Sequence, residues 1–162
     1  VSRSDYRIRR GLLLRNTPRK ERHAFAIHEA GHAVASERMG ERTLRLWLVP
    51  HRRGHGLVGG FTETLYTKRA GRYDPITRAV IALAGHEAER IAFNRPRHLL
   101  PWGDFHAVRR LGCSMISINV AGQHARRLVR KEMCAIRRVA RALAERGELS
   151  RRQFLRAYRS DT

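Results

Sequence analysis

At 162 residues the chain is long enough to bury one hydrophobic core and short for two full domains. Its 34 Lys and Arg against 14 Asp and Glu leave a net charge of +20, an excess that asks for an anionic partner or a tolerant fold. Hydrophobic residues at 42% exclude a chain too polar to collapse, and no run approaches the apolar length of a membrane span.

Taken in chain order, residues 1–16 read as a basic N-terminal arm with a small apolar anchor, Leu12 to Leu14, too short for a secretory signal. The remainder, 17–162, reads as one domain. Thr17 before Pro18 matches a helix cap with proline at the first helical position. Ala24, Ile27, Gly31, Val34 and Ala35 then recur at helical spacing, predicting a helix from Pro18 to about Met39. Leu44 to Val49 and Leu57 to Leu65 are β-compatible runs separated by the glycine-containing basic loop Pro50 to Gly56. Asp74 and Pro75 repeat the cap-plus-proline signal and open a second helix ending at Phe93. Pro96 and Pro101 interrupt the next segment, and Asp104 is placed to cap a third helix running to about Val120. A long helical pattern from about Gln123 to Glu145 stops at Gly147, and Ser150 with Gln153 resembles a capping box opening a last helix to Tyr158. The fold class expected is α+β, a mostly helical single domain with a small β-sheet.

Cys113 and Cys134 are far apart and form no CxxC pair, so buried free thiols and a cytoplasmic location are expected. The basic charge is evenly spread, with 17 basic and 7 acidic residues on either side of residue 81, and 31 of the 34 cations are arginine. Arginine suits phosphate contacts, but a Gly-rich phosphate loop, zinc-finger spacing and an aromatic-studded strand are all missing. Nucleic-acid binding is therefore the alternative reading and not the leading one.

The leading reading comes from His28, Glu29, Ala30, Gly31 and His32, an HExxH pattern inside a segment that reads as helix on other grounds. At 100° per residue the two histidines lie about 40° apart around the axis and one turn apart along it, so both imidazoles can reach one Zn²⁺. Glu29, offset by one residue, is placed beside the remaining coordination position, where it can take a proton from water. The small residues Ala30, Gly31 and Ala33 allow close packing of this helix, which gives a mid-helix glycine a purpose.

A catalytic zinc wants one more protein ligand. No histidine follows at the spacing of an HExxHxxGxxH pattern, so the ligand comes from a distant segment. Polarity and position favour Asp104, with His86, Glu87, Glu89, His106 and Asp74 as rivals. His86 and Glu89 share a helix face, which also makes them candidates for supporting the ligands from behind.

The chain resembles the peptidase domain of the FtsH-type zinc metalloproteases, family M41, from about Glu21 to Leu155. The family's HEAGHAV helix appears as His28 to Val34 and its strand ending in proline as Leu44 to Pro50. The following glycine-containing strand appears as Leu57 to Thr62, and a helix segment as Leu83 to Glu89. Gly103, Asp104 and Phe105 match the element that supplies the family's metal-binding aspartate, so the resemblance also points to Asp104. The chain departs from the family in the segment Arg97 to Gly103, at His86 and Glu87, and at Gly59, Gly60 and Phe61.

The resemblance implies a zinc endopeptidase in which His28, His32 and Asp104 hold the metal and Glu29 activates water. It implies a polypeptide substrate, and the family's ring makes a homo-oligomer one candidate assembly, although the ring's main holding force goes with its ATPase motor. An exposed strand edge, Leu44 to Val49 or Leu57 to Leu65, can align such a substrate by backbone hydrogen bonds. The family's membrane anchor and ATPase module have no room in this length, so unfolded or flexible substrates, or a separate ATPase or unfoldase, are expected. The competing classes are a basic nucleic-acid-binding protein and a catalytically inactive assembly or regulatory protein on the same fold.

Overall fold

The computed structural model of the chain describes residues 17–50, 57–65, 74–94 and 102–160. The basic arm expected over 1–16, the loop 51–56 and the proline-interrupted segment 95–101 lie outside the described residues.

Helix α1 spans Arg19–Arg38 and is buried on nearly every side from Ala24 to Ser36. The sequence pattern predicts a one-sided apolar stripe, but Ala, Gly and Ser leave so little bulk that neighbours close in all round. Pro18 is the cap residue itself and not the first helical residue; no side chain caps the helix, and the Pro18 carbonyl accepts from the N–H groups of Glu21 and Arg22. The helix ends at Met39, with Gly40 at φ +81° turning the chain into the sheet.

Strands β1, Arg42–Pro50, and β2, Leu57–Leu65, pair antiparallel with Trp47 opposite Phe61 and Leu46 opposite Thr62. A third strand, β3, Glu148–Ser150, was not expected from sequence and adds to the other side of β1, giving the order β2-β1-β3. Leu46 and Leu48 point from β1 into the core beside Ile27, Ile136, Leu143, Leu149 and Phe154. Thr43 and Ser36 fasten the sheet to α1: Thr43 Oγ1 donates to the Ala33 carbonyl at 3.0 Å, and Ser36 Oγ lies 3.1 Å from Thr64 Oγ1. Arg151 crosses from the far end of the chain to donate to Glu37 Oε1 at 2.7 Å and to the Thr43 carbonyl at 2.6 Å.

Helix α2, Pro75–Phe93, has the predicted bounds. Asp74 caps it, accepting from the N–H groups of Ile76 and Thr77 at 3.0 Å each. The Thr77 hydroxyl bond, outweighing partial burial and joined by those two N–H bonds, holds the Asp74 carboxyl below its ordinary pKa. A lowered folded-state value means the cap stabilises at pH above the ordinary aspartate range, and that contribution is lost as pH falls through the lowered value. Asp74→Ala is expected to cost about 1 kcal/mol at neutral pH, read in thermal or urea denaturation, with the difference from the parent vanishing in strong acid.

The single helix predicted from Asp104 to about Val120 is two helices. Helix α3, Trp102–Arg110, has Asp104 inside its first turn, not at its cap. The chain then turns at Leu111 and Gly112, where φ is +69°, before Ser114 caps α4, Met115–Arg146, by accepting from the Ser117 N–H. The long pattern read from Gln123 thus begins eight residues earlier, and it stops where predicted, at Gly147 in the left-handed region. Helix α5, Arg151–Arg159, opens with the predicted capping box of Ser150 and Gln153. Both cysteines are free thiols, but Cys113, in the connection between α3 and α4, is only half-buried at the edge of the Val80–Val108–Ala125 cluster, and Cys134 is exposed, because it falls on the side of α4 turned away from the core. Helices α2 and α4 and strands β1 and β2 all contact α1, which makes it the central element of the domain. No described helix is long and apolar enough to cross a membrane.

Candidate metal centre

The HExxH segment lies in the middle of α1, and the predicted face is realised. His28 and His32 are 6% and 9% exposed, and their Nε2 atoms are 3.0 Å apart. Asp104, carried in by α3 from 76 residues away, places Oδ2 at 3.0 Å from His28 Nε2 and 3.2 Å from His32 Nε2. These three residues form the metal-competent cluster found among the described residues.

Each imidazole is oriented from behind. His28 Nδ1 donates to Glu89 Oε1 at 2.7 Å, and His32 Nδ1 donates to the backbone carbonyl of Ile81 at 2.8 Å. With both Nδ1 hydrogens committed to acceptors on α2, the Nε2 atoms are the ones turned toward Asp104, the arrangement by which supporting residues fix the tautomer of metal-binding histidines. Glu89, at 1% exposure, is thus a support of His28 and not a ligand.

The other rivals are placed elsewhere. Asp74 caps α2. Glu87 pairs with Arg90 and Arg126, His106 is exposed on α3, and His86 Nδ1 is buried without a hydrogen-bond partner among the described residues.

Electrostatics give the cluster a strong demand for positive charge. Burial alone would lower His28, but hydrogen bonds to Asp104 and Glu89 and the Glu29 and Asp104 charges raise it to about 10. His32 is also raised, burial being outweighed by the charge and hydrogen bond of Asp104. Asp104 is driven far below the carboxylate range because the two imidazoles outweigh its burial. Two imidazole nitrogens and a carboxylate oxygen crowded to 3.0–3.2 Å repel one another unless a cation sits among them.

The donor set fits a divalent ion. Bonds of about 2.0–2.1 Å in a tetrahedron separate neighbouring ligands by about 3.3 Å, within a few tenths of the spacings here. Two imidazoles plus one carboxylate is a set that zinc accepts, leaving a position open.

Glu29 lies beside this cluster, 5% exposed, and lines the same cleft. Thr62 Oγ1 donates to Glu29 Oε2 at 2.7 Å, locking the carboxylate against β2. Burial raises the Glu29 pKa, opposed by the nearby imidazoles and by the Thr62 bond. The cleft, about 210 Å³, runs between β2 (Gly60, Phe61, Thr62) on one side and Ile81, Ala82 and Ala107 on the other.

Three glycines make the site sterically possible. A Cβ on Gly60 would fall 2.3 Å from Glu29 Cγ, and one on Gly85 would fall 2.5 Å from His32 Nε2. On Gly31 it would meet the Ala84 carbonyl at 2.7 Å and Gly85 Cα at 3.0 Å, which explains why glycine is tolerated mid-helix where α1 crosses α2.

The sequence singled out His28, His32 and Asp104, which converge, Glu29, which lines the cleft beside them, and Glu89, which stands behind His28. It did not single out Thr62 as the partner of Glu29, the Ile81 carbonyl as the partner of His32, or the space-making roles of Gly60 and Gly85. A hydroxyl two residues after a glycine in a strand is a common pattern, and a backbone acceptor carries no residue signature at all. Compared with protein-family models and with curated proteins, the chain finds no match.

Proposed function

We propose that this chain is a zinc-dependent endopeptidase domain of the FtsH-like kind, cleaving unfolded or flexible polypeptides. The observation that carries the reading is the convergence of His28 Nε2, His32 Nε2 and Asp104 Oδ2 beside the buried, Thr62-anchored carboxylate of Glu29. His28, His32 and Asp104 would hold a zinc ion there, which would supply Lewis acidity toward water and a peptide carbonyl.

The chain's own residues do the rest. Glu29 accepts the proton of the attacking water and returns it to the leaving amine nitrogen, a transfer helped by a carboxyl whose pKa is already raised by burial. Glu89 and the Ile81 carbonyl hold the imidazoles in the ligand tautomer. Among the described residues β2 is an edge strand of the sheet, and Gly60, Phe61, Thr62 and Thr64 line the cleft, so an extended peptide can add to that edge by main-chain hydrogen bonds. Of the two strands left open by sequence, β2 is the one supported, because β1 is flanked on both sides. A peptide entering an edge must be locally unfolded, which favours flexible chains or delivery by a separate unfoldase.

Two measurements on the wild-type chain test this: zinc content of the purified protein, and cleavage of a denatured protein substrate before and after chelation. About one zinc per chain is expected, with cleavage lost on chelation and restored by zinc. A protein that takes up no metal and cleaves nothing in its presence would defeat the reading.

A further inference from the structure

The even spread of basic residues along the sequence hides an uneven spread in space. On α4, Arg127, Arg130, Lys131, Arg137 and Arg141 are all exposed, and none has an ion-pair partner among the described residues. At 100° per residue they fall within an arc of about 120° and extend over about 21 Å of helix. Between Arg127 and Arg141 the one acidic residue on the helix is Glu132, which is buried, bound to Arg38 at 2.8 Å, and sits at the edge of the row beside Arg127 and Lys131, while exposed Glu145, one turn past Arg141 on the same arc, ends the row.

Helix α1 lengthens the stripe at both ends. Arg38, paired with Glu132, joins Arg127, Lys131 and His124 around a groove of about 410 Å³ that Glu132 and Leu128 also line. Near the other end, Arg19, Arg137 and Arg141 surround His23 closely enough that their charges, after burial, lower its pKa. The opposite face of α4 packs on the core through Val129, Ile136 and Leu143, so the stripe points away from the metal-centre side chains.

We propose that this stripe is a binding surface for the sugar–phosphate backbone of a duplex nucleic acid, read by charge and not by sequence. It is independent of the peptidase reading. Among the described residues the large exposed hydrophobics are Phe61, Leu65, Met115 and Val120, and none lies on the stripe. A protein partner of standard affinity wants an apolar or aromatic anchor at the centre of its interface, which this surface lacks. Tyr158 lies under Arg38 and is stacked on Phe154, and among the described residues no row of exposed rings beside these cations offers single-stranded bases a platform. What remains is a row of arginines and a lysine, spaced at helical turns, whose guanidinium forks match phosphate oxygens.

The test is fluorescence anisotropy of the full chain with labelled DNA and RNA duplexes of mixed sequence, and with a poly-glutamate peptide, across a salt series. The stripe variant is Arg130→Gln, Arg137→Gln and Arg141→Gln. A charge-matched control is Arg42→Gln, Arg109→Gln and Arg110→Gln, at exposed positions on β1 and α3. With five phosphates neutralised, log K is expected to fall with log salt at a slope of about −4 to −5 for the parent. The stripe variant is expected to lose about 3 units of slope and at least about tenfold in affinity near 0.1 M salt, and the control far less. The tighter of the two duplexes identifies the source of the backbone, and equal binding means that the shared phosphate chemistry suffices. The proposal falls if the control loses as much as the stripe variant, if neither duplex binds, or if poly-glutamate binds as tightly as the duplexes. All six sites are solvent-facing arginines, so both variants should keep the parent's circular dichroism and zinc content.

Discussion

Replacing Glu29 by glutamine is expected to slow polypeptide cleavage by about 10²–10⁴ while leaving zinc content unchanged. The separation of the two readouts follows from the geometry. Glu29 contributes none of the three converging atoms that could hold a metal ion, so its charge is not expected to be needed for binding one. Glutamine keeps the volume that fills the space above Gly60 and can still accept from the Thr62 hydroxyl through its amide oxygen. What it cannot do is take a proton at neutral pH. Removing one negative charge from a 5%-exposed position also relieves a desolvation cost, so the variant should be at least as stable as the parent. Measured together, turnover, metal content and melting temperature separate loss of chemistry from loss of the ion or of the fold. Wild-type turnover in this variant would remove Glu29 from the chemistry while leaving the metal centre intact.

Gly85→Ala is the second large effect, and it should act on the metal rather than on the proton transfer. The added methyl would sit 2.5 Å from His32 Nε2 and 2.7 Å from His32 Cε1, distances at which something must move. The His32 ring is not free to swing, because its Nδ1 is bound to the Ile81 carbonyl and its helix is packed on all sides. Either the ring leaves its ligand orientation or α2 backs away from α1. The first disrupts the triangle with His28 and Asp104; the second opens the Gly31–Gly85 contact. Zinc affinity is expected to fall by about 10–100-fold or more, with about 1–3 kcal/mol lost in stability from overpacking. Gly122→Ala is the internal comparison. Its nearest obstacle is Leu83 Cδ1 at 3.9 Å, and helical alanine is favoured over glycine, so it should gain up to about 1 kcal/mol. Zinc titration and thermal denaturation read both variants. If Gly85→Ala bound zinc as tightly as the parent, the ring would not be packed as described.

The parts of the fold that could be read in advance are those written in local chemistry. The Asp74-Pro75 pair, the Ser150-Gln153 box and Gly147 each satisfy or end a helix through groups within a few residues, and their elements begin or end as predicted. Thr17-Pro18 carries a similar signature, yet the helix starts one residue later with Pro18 as the cap, because a proline carbonyl alone can receive the first N–H groups. The break at Leu111 and Gly112 was hidden by apolar residues that continue the helical period on both sides of it. β3 was hidden by its length, three residues that become a strand only because β1 offers them an edge.

From the sequence alone came the HExxH pair, since two ligands a turn apart on one helix need no knowledge of the rest of the fold. The choice of Asp104 came from its polarity, its place after a proline-rich break and a resemblance in a few residues. What only the tertiary structure decided is how these groups are held. α3 brings Asp104 to within 3.0–3.2 Å of both imidazoles, α2 supplies Glu89 and a bare carbonyl behind them, and β2 supplies Thr62 and, among the described residues, an open edge. It also decided where the charge lies, gathering on one side of α4 five cations that have no ion-pair partner among the described residues. The physical reason is the same in each case. Periodicity and capping act over a few residues, whereas steric room, hydrogen-bond partners and the summed field at a site depend on segments that meet only when the chain is folded.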